Sequence, residues 1–158
     1  MQVPKITQTL VLNQADPQRL REEIRAYFHA TFSIDELLYE SLKRDEAFYL
    51  RADPLRHPLV FYLGHTAVFY VNKLNIAHLV SERINPAFES MFAVGVDEMS
   101  WDDLNLAHYN WPSIPAVKAY RDKVRALVDK LIGELPLDEN GVNWHSPWWA
   151  ILMGIEHQ

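Results

Sequence analysis

From Pro58 to about Val80 the large apolar side chains return at intervals of three and four, through Val60, Phe61, Val68, Phe69 and Ile76, with His65 and Asn72 on the same stripe. That spacing predicts a helix, and the width of the stripe predicts one buried on most of its surface. A second long helix is expected from about 115 to 133, with Val117, Tyr120, Val124, Leu127, Val128 and Leu131 on one side, Lys and Arg on the other, and Gly133 and Pro136 to stop it. Asp16 before Pro17 gives a capping carboxylate and a first helical residue that needs no donor. A helix over about 17–30 follows, burying Leu20, Ile24, Tyr27 and Phe28.

Ser33 and Glu36 then read as a reciprocal cap for a separate helix to about Lys43, with Leu37, Leu38 and Leu42 inward. Residues 82–115 mix glycine, proline, acids and aromatics and are expected to form a long structured crossover with short helical turns. Ser146 and Pro147 give a further cap and first residue, and Trp148, Trp149, Ile151, Leu152 and Ile155 begin a last helix. An all-α four-helix bundle is the simplest way to cover these stripes, in a single domain over residues 1–158. The last helix reaches Gln158 without a glycine or a basic closing turn, so it is expected to be truncated and the domain incomplete at its C-terminus.

Charge and composition narrow the function classes. Acidic residues outnumber basic ones to give a net charge of -6, and no Lys/Arg cluster is dense enough to neutralise a run of phosphates, which argues against nucleic acid. No apolar run approaches the roughly 18 residues of a membrane span, and the N-terminus has no secretory pattern, so a cytoplasmic protein is expected. There is no cysteine, so any metal must be held by histidine and carboxylate.

Among the seven histidines, His65 stands out, because a ring inside an apolar helix must satisfy both nitrogens. Gly64 beside it leaves room for a ligand or a neighbouring helix, and His65 itself fits either a core role or metal ligation. The hydroxyl of Thr66 is expected to bond back to its own helix. His157, after Glu156 near the helix end, reads alone as a surface residue; two imidazoles also fall short of the usual three protein ligands, and the position that would face His157 one turn on is 161. Glu98, Asp102 and Asp103 offer carboxylates, although Ser100 with Asp103 also reads as a cap. His108, Tyr109, Asn110 and Trp111 form a patch that lines a substrate pocket or covers the bundle end, the latter being the plainer reading. Trp144 and His145 are expected to anchor a loop, and His29, His57 and His78 to serve ordinary structural or surface roles. Nucleotide-binding and hydrolase signatures are missing.

The segments HPLVFYLGHTAVFYVNKL, RINPAFESMFAVGVDEMSWDDL, PAVKAYRDKVRALVD and SPWWAILMGIEH together resemble the N-terminal DinB-like helical domain of the 5-histidylcysteine sulfoxide synthases of ovothiol biosynthesis. They resemble more distantly the corresponding domain of ergothioneine-pathway sulfoxide synthases. The resemblance implies a mononuclear non-haem Fe(II) site of three histidines, one in a GHT motif and two in a His-x-x-x-His arrangement, in an enzyme that uses O2 to couple cysteine sulfur to histidine imidazole. By position, His65 matches the first ligand and His157 the second, and the third would fall at 161, past Gln158. Family members continue into a C-terminal catalytic domain, so this chain alone is expected to be inactive and to bind Fe(II) weakly or not at all. The alternative is a stand-alone DinB-like helical module for binding or assembly, without catalysis. A homodimer is also expected, on the argument that a short last helix leaves an apolar patch beside Ile151 and Ile155 for a partner to cover.

Overall fold

A computed structural model describes all residues except 1–3, 5, 7, 14, 15, 95–108, 138–141 and 144. Its helices are α1 (Pro17–Glu40), α2 (Leu59–Ile76), the short α3 (Pro86–Met91), α4 (Ile114–Glu134) and α5 (Trp148–His157), with a 3-10 turn over Asp45–Phe48. Helices α2 and α1 each pack against both α4 and α5, giving an essentially all-α, four-helix arrangement, and α3 lies against α2 within the crossover.

The caps explain most of the boundaries. The Asp16 carboxylate accepts from the amides of Gln18 and Arg19, and Ser113 and Asn85 do the same work for α4 and α3. Ser146 does not cap α5; its hydroxyl exchanges hydrogen bonds with the backbone of Asn143, and Pro147 precedes the helix without a side-chain cap. Helix α2 ends with His78 in the left-handed region at φ 56, where Leu79 N–H reaches back to the Leu74 carbonyl.

The expected break near Ser33 does not occur, and α1 runs unbroken for 24 residues. No glycine or proline lies between Gln18 and Asp53 to interrupt it. Ser33 and Glu36 face α4 instead: the Ser33 hydroxyl accepts from Arg125 at 2.8 Å, and the Glu36 carboxylate accepts from Arg121 and Arg125. The inward turn of α1 is set by Phe28, Phe32 and Asp35, while Leu38 is exposed and Tyr27 only half-buried.

Helix α2 is the centre of the core. Val60, Phe61, Leu63, Ala67, Val68, Tyr70, Val71 and Leu74 are all buried, while Leu59 and Ile76 at its two ends are exposed, Ile76 at 61% although its spacing puts it on the apolar stripe. On α5, Ile151 is fully buried and Ile155 is 6% exposed. Ile155 packs beside a groove of about 380 Å³ formed with Leu10, Tyr27, Trp149 and Leu152.

Candidate functional site

His65 sits in the second turn of α2, nearly buried at 4% exposure, and His157 in the last turn of α5, open to solvent. Packing of α5 on α2 brings their Nε2 atoms to 2.8 Å, with the ring planes at 76°. Gly154 permits that packing, since a Cβ there would collide with the Tyr70 ring. Two phenylalanines hold the rings: Phe61 stacks on His65 at 5.2 Å, and Phe69 stacks on His157 at 3.9 Å. Lys73 places its ammonium 4.7 Å from the Phe69 ring centre.

Hydrogen bonding sets the protons on this pair. The Phe92 carbonyl lies 2.7 Å from His65 Nδ1 and can only accept, so Nδ1 carries the hydrogen and Nε2 presents a lone pair. His157 Nε2–H then donates to His65 Nε2. A divalent transition-metal ion could replace that shared hydrogen. Two imidazole nitrogens, each about 2.0–2.1 Å from one ion in neighbouring coordination positions, stand roughly 3 Å apart, close to the separation already present.

The donor set therefore fits a metal ion as a pair of imidazoles, with one ring oriented by a backbone acceptor as metal-bound histidines commonly are. Among the described residues no cluster of three His, Cys, Asp or Glu surrounds such a point. Further donors would have to be water or groups outside those residues.

The other candidates separate clearly. His57 is buried, stacks on Phe61 at 4.0 Å, and donates from Nε2 to the Val94 carbonyl at 3.2 Å, leaving Nδ1 without a partner. Burial lowers its pKa, the Val94 hydrogen bond opposes that shift, and Arg51 and His65 add to it. Tyr109 and Trp111 stack on each other at 5.0 Å and lie edge-on to His57, covering the N-terminal end of α2, and Asn110 is exposed. His29 accepts from Arg125 at Nδ1 and donates to Asp129 from Nε2, a structural link between α1 and α4. His78 and His145 are exposed, the latter in a loop where Asn143 accepts from its amide. Glu98, Ser100, Asp102, Asp103, His108 and Trp144 lie outside the described residues.

Sequence reasoning missed the polar group beside this centre. Arg121 is fully buried and donates to Asp35 at 2.7 Å, to the Leu63 carbonyl and to Thr66, while its guanidinium lies 4.6 Å from the Phe32 ring centre. Thr66 consequently bonds across the bundle, donating to Asp35 at 3.1 Å, and not back to its own helix. The signal was an arginine on the apolar side of α4, one residue after Tyr120, with acids on α1 to meet it.

The fold is an all-α helical bundle in which α2 and α5 each bring one imidazole to a common point. Residues 19–158 match the family model of the DinB superfamily, and the chain belongs to that superfamily. No curated protein matches it. Among the described residues no helix is long and apolar enough to cross a membrane.

Proposed function

We propose that this chain is a DinB-like helical binding module, not catalytic by itself, whose binding centre is the His65–His157 pair and whose ligand is a divalent transition-metal ion. One observation carries the reading. The two Nε2 atoms converge at 2.8 Å while the Phe92 carbonyl occupies His65 Nδ1, so both outward nitrogens are directed at one point. Two imidazoles give modest affinity, and the exposure of His157 leaves the remaining positions open to water or a partner's donor.

A second reading is favoured by the same convergence: the iron(II) centre of an O2-dependent sulfoxide synthase, with His65 and His157 as two of three ligands. Those two residues were matched to ligand positions by resemblance alone, and they meet. Bound iron(II) would supply O2 activation; the chain's own part is to hold the ion with two imidazoles, shield one side with Phe61 and Phe69, and fix the His65 proton on Nδ1.

Anaerobic calorimetric titration with Fe(II) and Zn(II) tests the module. Weak one-to-one binding that disappears in both His65→Ala and His157→Ala supports it, and heat unchanged by either substitution overturns it. An assay with cysteine, histidine, Fe(II) and O2 separates the two readings. The module reading predicts no sulfoxide product, and product formed by the wild-type chain but not by His65→Ala would favour the synthase.

A further inference from the structure

We propose that Gly64 is a positioning residue for the imidazole pair, fixing the tautomer of His65 through the phenylalanine ring that it admits. Gly64 is the one glycine of α2, in the interior of a mainly apolar helix. Glycine there costs roughly 0.5–1 kcal/mol relative to alanine, so a local reason for it is expected. The reason is Phe92. A Cβ at position 64 would stand 2.7 Å from three atoms of the Phe92 ring, which is fully buried and packs against Phe61, Phe88 and Trp111.

The same residue supplies the acceptor for His65. Phe92 ends α3, and with its ring seated on the bare backbone at Gly64 its carbonyl oxygen lies 2.7 Å from His65 Nδ1. Ring and carbonyl belong to one residue, so moving the ring moves the acceptor. With a methyl at 64, the ring must retreat to reach the 3.4 Å of ordinary contact, and a bond already at 2.7 Å weakens steeply once it stretches beyond the usual range. Without that acceptor His65 is free to carry its hydrogen on Nε2. That hydrogen would point at His157 Nε2, and an ion could take its place only if His65 returned its hydrogen to Nδ1, where the Phe92 acceptor no longer waits. The glycine and histidine of the GHT segment thus act together: the first admits the ring whose carbonyl orients the second.

The use made of the tautomer rests on the metal-binding reading above; the tautomer itself does not. The test is long-range 15N-resolved imidazole NMR on the full chain. Wild-type His65 is expected as the Nδ1–H form. Gly64→Ala and Phe92→Leu should each give a mixture with the Nε2–H form, the first by displacing the ring and the second by leaving it loose. The double variant Gly64→Ala/Phe92→Leu, in which the new methyl refills the space, should return to the wild-type form. A glycine needed only for packing would change stability and leave the tautomer alone. If Gly64→Ala does not fold, Phe92→Leu and the double variant carry the comparison. Wild-type His65 in the Nε2–H form, an unchanged tautomer in Phe92→Leu, or a double variant that stays mixed overturns the proposal. Zinc affinity should fall about tenfold in Phe92→Leu and recover in the double variant. No zinc binding by the wild type would refute the metal reading while the tautomer result still decides this one.

Discussion

Arg121 and Asp35 meet at 2.7 Å in the interior of the bundle, with the guanidinium wholly removed from solvent and the carboxylate nearly so. A buried ion pair is costly to break from one side, because the remaining buried charge loses its closest counter-charge, here leaving Arg121 only Glu36 at 3.3 Å. Asp35→Ala should therefore destabilise the fold by about 3 kcal/mol, read from urea denaturation. Replacing both partners with apolar residues, as in Asp35→Leu/Arg121→Met, should recover most of that loss. A single substitution that costs less than the double would show that the pair is not the unit.

Little of this network was legible beforehand, and the reason is physical. Local signals such as Asp16 before Pro17 and Ser113 before α4 act within a few residues and were read correctly or are plain in hindsight. Ser33 and Glu36 have the spacing of a cap, yet their partners Arg121 and Arg125 lie some ninety positions away, and nothing local distinguishes the two uses. His65 stands out by its place in an apolar helix, and only the resemblance pairs it with His157; their meeting follows from the packing of α5 on α2, which no spacing within α5 reveals.

His78 adopts a left-handed conformation at the C-terminal end of α2, where glycine would be unstrained. His78→Gly should raise stability by about 1 kcal/mol, seen as a higher Tm. The ring is exposed and is assigned no role here, so metal binding should be unchanged. A lower Tm would mean that the His78 side chain makes a contact worth more than the strain.

Gly154 lets α5 lie directly against Tyr70. Gly154→Ala should cost about 1–3 kcal/mol by overpacking and, because His157 is carried on the same helix, should also weaken the contact between the two imidazoles. Thermal denaturation reads the first effect and an NOE between the His65 and His157 rings the second. Loss of stability with the NOE intact would separate α5 packing from the site.

His57 is held neutral, chiefly by burial, with a pKa below its ordinary value near 6.5. In the unfolded chain it takes up a proton at a higher pH than in the fold. Over the interval between the two values the unfolded state binds more protons, so stability rises with pH; the contribution is full above about 6.5 and is lost as pH falls through the lower, folded value. His57→Phe keeps a ring against Phe61 and removes the titration, so its stability should decline less between pH 7 and pH 5 than that of the wild type, by chemical denaturation at each pH. Identical acid-side slopes would contradict this.

Imidazole NMR during Zn(II) titration under non-denaturing conditions tests most directly whether His65 and His157 act as one centre. Both rings should shift together over the same range of zinc concentration, with Nε2 of each most affected and His29 and His57 unmoved, and His157→Ala should abolish the response of His65. Rings that respond at different zinc concentrations, or a His65 that still responds when His157 is gone, would contradict it.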